Sequence, residues 1–66
     1  MAYCMNRIKH FRELANMTQQ ELADRLGTSV RNVRRWENEE SSPDVIMGMK
    51  IAMIFGQNVE EIFKIE

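Results

Sequence analysis

The sequence predicts an all-α fold, a compact bundle of five short helices, and three observations carry that expectation. Apolar residues recur at three- and four-residue intervals along most of the chain, the spacing of one helical face. Side chains able to cap a helix stand just ahead of four of these stretches, at Thr18, Ser29, Asp44 and Asn58. Gly27 and Gly56 stand where two of them stop, as residues that close a helix in the left-handed conformation. At 66 residues, 44% of them hydrophobic, the chain has room for a single domain spanning 1–66, with 1–5 expected as a loosely ordered arm.

In the first helix Ile8, Phe11, Leu14 and Ala15 form the apolar stripe, Arg7, Lys9, Arg12 and Glu13 fill the remainder, and the end falls near Asn16. Thr18 and Glu21 have the spacing of a capping box that starts helix two. Met17 and Leu22 are spaced as a hydrophobic staple, and Leu22, Ala23 and Leu26 form the buried stripe. Gly27 closes that helix and Ser29 caps the next, so three residues separate the two. This is the connection length of a helix-turn-helix, formed here by helices two and three.

The third helix divides into two arcs. Val33 and Trp36 point one way; Arg31, Arg34, Arg35 and Asn38, spaced i, i+3, i+4 and i+7, point the other, with Val30 at the edge. Guanidinium forks match guanine O6 and N7 or phosphate oxygens, so an exposed arginine arc on a helix suits a major groove. Its plainer reading is a solvated basic face.

After the polar segment Glu39–Pro43, Asp44 caps a fourth helix running to Phe55, and Asn58 with Glu61 has capping-box spacing for a fifth through Val59, Ile62 and Phe63. In helix four Val45, Gly48, Met49, Ala52 and Phe55 are expected to face the core. Ile46, Met47, Ile51, Met53 and Ile54 are apolar too, leaving little but Lys50 on the polar side. A helix apolar nearly all round is expected to be buried nearly all round, which a domain this small does not achieve alone. A homodimer through helices four and five follows, with Ile46, Met53, Ile54 and Ile62 at the interface; methionines acting as loose gap filler are the alternative.

Composition narrows the function. Cys4 is the one cysteine and His10 the one histidine, which excludes an internal disulfide and the metal sites that need several such ligands. No run of about 18 apolar residues and no signal-peptide pattern occurs, so a cytoplasmic protein is expected, with no membrane partner. An enzyme is not expected and no cofactor is implied: Ser29, Ser41 and Ser42 have no nearby histidine, and no glycine-rich loop precedes a helix. The net charge of −1 and pI of about 5.8 run against a strongly basic nucleic-acid binder, and place any such role on local charge.

In its motifs the sequence resembles the phage Cro and repressor family, the XRE family of lambda-repressor-like DNA-binding domains. The likeness rests on Arg12, the run Met17-Thr18-Gln19-Gln20-Glu21-Leu22-Ala23, Leu26-Gly27-Thr28-Ser29, Arg35-Trp36-Glu37-Asn38, Ser42-Pro43 and Lys50-Ile51-Ala52. It implies that Val30, Arg31, Arg34 and Arg35 read or approach base edges. It implies phosphate contacts for Gln19, Thr28, Ser29, Asn32 and Asn38, and a scaffold ion pair between Arg12 and Glu37. The expected function is transcription regulation, as a repressor, or alternatively an activator, acting as a dimer on a palindromic operator in double-stranded DNA. An antitoxin with a toxin partner, or an interaction module with weak or no DNA binding, would use the same fold. The sequence departs from the family after Asn38, where a glycine and a basic residue are common and Glu39 and Glu40 stand instead. Asn38 or Glu39 must then make the turn, and asparagine tolerates the left-handed region better.

Overall fold

The four capping residues read from the sequence all stand at helix starts, and all but one cap with their side chains. The computed structural model describes residues 4–65: β1 (Cys4–Asn6), α1 (Ile8–Leu14), α2 (Gln19–Leu26), α3 (Val30–Glu37), α4 (Val45–Phe55), α5 (Val59–Ile62) and β2 (Phe63–Ile65). Both halves of the capping box form at α2: Thr18 Oγ1 accepts the Glu21 amide at 3.0 Å, and a Glu21 carboxylate oxygen accepts the Thr18 amide at 2.8 Å. Ser29 Oγ accepts the Asn32 amide at 3.2 Å, and Asp44 Oδ1 the Met47 amide at 2.8 Å. Asn58 is the exception. It makes no side-chain cap, and the Glu61 amide goes to its backbone carbonyl at 3.0 Å. The expected capping box is absent, and α5 is a single turn that the chain leaves at Phe63 for extended backbone.

The first four helices close alike. Asn16, Gly27, Glu39 and Gly56 take positive φ of 56°, 72°, 61° and 64°. Each following amide reaches back to the last turn, Met17 to Arg12 at 3.1 Å, Thr28 to Ala23 at 3.0 Å, Glu40 to Arg35 at 2.9 Å and Gln57 to Ala52 at 3.0 Å. This is the Schellman closure, which satisfies carbonyls that a helix end leaves open. The sequence favoured Asn38 for the left-handed residue ending α3, and the structure puts Glu39 there. Asn38 stays near helical geometry because its amide still bonds the Arg34 carbonyl at 3.0 Å.

Ile8, Leu22, Ala23, Leu26, Val33, Trp36, Ile51, Ala52 and Ile62 make the core, with Phe11, Met17, Val30, Met47, Ile54, Phe55 and Phe63 packed around it. Two expected stripes are corrected. In α1 Arg12 is buried, whereas Leu14 is 67% exposed. In α4 the inward residues are Gly48, Ile51 and Ala52, while Val45 and Met49 face solvent. Aromatic anchors set this rotation: the Phe63 ring lies 3.5 Å from where a Gly48 Cβ would stand, and Phe55 stacks on Phe11 at 6.0 Å between centroids.

Ile62, expected at a dimer interface, is fully buried and has no surface to offer a partner. Its carbonyl accepts the Arg7 amide at 2.7 Å, which ties α5 to the start of α1. Nor is the whole of 1–5 a loose arm. Cys4, Met5 and Asn6 pair antiparallel with Ile65, Lys64 and Phe63. The helical fold is therefore closed by a two-stranded ribbon joining its ends, a pairing between residues some 60 positions apart that local periodicity does not reveal. Residues 1–3 of the expected arm and the Cys4 side chain lie outside the described residues.

Candidate nucleic-acid interface

Helix α3 is held by what it buries. Val33 is fully buried and Trp36 is 7% exposed, which fixes the helix rotation and turns Arg31, Arg34 and Arg35 outward as exposed side chains on one arc. Val30 is half-buried at the edge of the arc. None of the three arginines pairs with a carboxylate among the described residues. Their guanidinium groups remain available to an external acceptor. Arg34 and Arg35 lie in the last turn, where positive charge is favoured by the helix dipole.

The end of α3 is anchored by a charged cluster. Arg12 Nε donates to Glu37 Oε2 at 2.6 Å and Nη2 to Oε1 at 3.2 Å, a two-point contact. Arg12 Nη1 donates to the Met17 carbonyl at 2.8 Å, and Gln19 Nε2 donates to Glu37 Oε1 at 2.9 Å. The Glu37 side chain is 2% exposed. Hydrogen bonding to Glu37 raises the Arg12 pKa above its ordinary value, against a smaller opposing effect of burial. One cluster thus joins α1, the start of α2 and the end of α3.

The side chains expected at phosphates lie along the flanks of the arc. Gln19 is half-buried and gives one amide hydrogen to Glu37, leaving the other for an outside acceptor. Asn32, also half-buried, donates to Thr28 Oγ1 at 2.8 Å and likewise keeps one hydrogen. Ser29 is exposed, its hydroxyl occupied as acceptor in the cap and still able to donate. Asn38 is exposed, and its 3.4 Å approach to Glu40 is too long to hold it firmly. Glu39 and Glu40 are exposed directly beyond it, so carboxylates flank the C-terminal end of the arc.

One residue of this region, Asn6, and one contact, that of Gln19 with Glu37, escaped the sequence reading. Asn6 Nδ2 donates to the Trp36 carbonyl at 2.7 Å, and Gln19 bonds Glu37 rather than standing free. Both contacts join residues 18 or more positions apart, and no spacing rule points to them. Among the described residues no group of three or more His, Cys, Asp or Glu is placed to hold a metal ion, and no helix is long and apolar enough to cross a membrane.

A bundle whose second and third helices are joined by a short turn, the third presenting an arginine arc, is a helix-turn-helix domain, and comparison with known proteins agrees. The chain matches the helix-turn-helix family over residues 8–62 and belongs to it, as an XRE-like member. It is 38% identical over 58 residues to an uncharacterised HTH-type transcriptional regulator of Methanocaldococcus jannaschii, covering 88% of each chain. With another such regulator, from Archaeoglobus fulgidus, it shares 40% over 57 residues, covering 86% of this chain and 80% of the relative. Its fold is similar to the crystal structure of a candidate DNA-binding protein from Bacteroides fragilis, with a TM-score of 0.86 and 26% identity over 94% of this chain and all of that one.

Proposed function

We propose that this chain is a small cytoplasmic transcriptional repressor that binds double-stranded DNA sequence-specifically, two copies presenting their α3 helices to a palindromic operator. The observation that carries the reading is the arc of Arg31, Arg34 and Arg35, exposed and without carboxylate partners on a helix anchored by Trp36 and the Arg12–Glu37 pair. Val30, Arg31, Arg34 and Arg35 take the base edges, where arginine forks pair with guanine and Val30 meets a thymine methyl. Gln19, Thr28, Ser29, Asn32 and Asn38 take phosphates, helped at Gln19 and Gln20 by first-turn amides that have no intrahelical acceptor. The names of the archaeal relatives support regulation of transcription as the process.

Exposed apolar side chains on α4 support the dimer. Ile46 and Met53 are 64% and 79% exposed, and Ile54 is half-buried beside them. The same surface supports a second reading, an antitoxin that docks a toxin there, and co-purification of a small protein encoded nearby distinguishes it. Binding to duplex in a gel shift at low salt tests the main reading. The logarithm of affinity falls linearly with the logarithm of salt concentration as the arginines displace counterions. No binding to any duplex at low salt overturns it in favour of a protein-interaction module.

A further inference from the structure

Asn6 joins three parts of the fold at once. It stands in β1, paired with Phe63 of β2; its Oδ1 accepts the Ile8 amide at 3.3 Å as α1 begins; and its Nδ2 donates to the Trp36 carbonyl at 2.7 Å. The Trp36 carbonyl also accepts the Glu39 amide at 3.1 Å, the bond that closes α3 around a left-handed glutamate. Both lone pairs of that oxygen are therefore used, one for the helix closure and one for Asn6. Arg34 and Arg35 lie in the same final turn. At the other face of that turn Glu37 is fixed by Arg12 and Gln19, so the turn is gripped from two sides by side chains from outside the helix.

We infer that Asn6 is a positioning residue for DNA recognition: through the Trp36 carbonyl it holds the last turn of α3, and so the guanidinium groups of Arg34 and Arg35, in register with the base edges. The inference rests on the proposed DNA-binding role. It adds that the terminal ribbon is part of the reading apparatus, because pairing of β1 with β2 delivers Asn6 to Trp36. Without that hydrogen bond the last turn pivots about the Arg12–Glu37 pair, while the first turn, capped independently by Ser29, keeps its place.

The test uses the full chain and two variants, Asn6→Ala, which deletes the amide, and Asn6→Asp, which sets a carboxylate against the carbonyl. Each is measured where its denaturation curve shows it fully folded. Binding is measured to a duplex selected by the wild-type protein and to a panel with single base-pair changes. Discrimination is expected to fall about tenfold, the loss of one good base contact, at the positions read by Arg34 and Arg35, and to hold at the position read by Arg31. Amide exchange at Glu39 and Glu40 is expected to quicken, and emission of the chain's single tryptophan, Trp36, to shift. A folded variant with wild-type discrimination and unchanged exchange at Glu39 and Glu40 overturns the inference. If the wild-type protein prefers no site, the DNA-binding reading fails, and amide exchange still decides whether Asn6 holds the turn.

Discussion

At the scale of single residues, the Glu37 carboxylate accepts two N–H groups from Arg12 and one from Gln19 while its side chain is only 2% exposed. Removing one partner of such a pair leaves a buried charge uncompensated, a cost of about 3–5 kcal/mol. A domain of this size has a total stability of about 3–10 kcal/mol. Arg12→Ala is therefore expected to leave the chain largely unfolded at 37 °C, with a urea midpoint far below that of the wild type. Replacing both partners by methionine recovers most of the loss. Periodicity alone did not show this pair, which came from family likeness; the signal available was an arginine four residues after Ile8, in the helix stripe that faces the core. Glu39 makes a second residue-scale prediction. It holds φ of 61° where glycine closes α2 and α4. Glu39→Gly is expected to stabilise by about 1 kcal/mol, raising Tm by roughly 4–8 °C in thermal unfolding. The same change removes a carboxylate beside the arginine arc and strengthens DNA binding at low salt.

Elements whose signals are local were legible, and α2 shows why. Thr18, Glu21, Gly27 and the stripe of Leu22, Ala23 and Leu26 all act within a few residues, and each stands where the pattern requires. The capping hydrogen bonds from Thr18 hold the Glu21 pKa below the ordinary carboxylate range. A depressed carboxylate contributes stability that is present above its unfolded pKa and lost as pH falls through its folded pKa. Acid is thus expected to fray the first turn of α2 below the ordinary glutamate range, seen as faster amide exchange at Glu21 and Leu22. Glu21→Gln, which keeps an acceptor but does not titrate, makes that exchange insensitive to pH once its intrinsic pH dependence is divided out. The rotation of α4 was not legible, because a helix apolar on nearly every side has no polar face to orient it. Phe63 and Phe55 decide which side turns inward, and the ribbon that carries Phe63 depends on a partner strand at the opposite end of the chain.

Over the whole molecule, two surfaces stand out, the arginine arc on α3 and the apolar side chains of α4. The arc was legible because burial of Val33 and Trp36 dictates it; its supports at Asn6 and Gln19 were not, because they come from remote elements. Val45, Ile46 and Met53 are each more than 60% exposed, more large apolar surface than one short helix ordinarily leaves in water. Sedimentation at high micromolar concentration is expected to show a dimer, and Met53→Glu to shift it to monomer; a wild-type monomer there contradicts the dimer. Whether α3 reads DNA is tested most directly by selecting bound sequences from random duplexes and comparing wild-type protein with Arg34→Ala on the site obtained. The account predicts a two-fold symmetric site with half-sites about one helical turn apart. Arg34→Ala then weakens binding to that site by about 1–3 kcal/mol and binding to random duplex far less. Failure to enrich any sequence, or an equal loss on both duplexes, contradicts it.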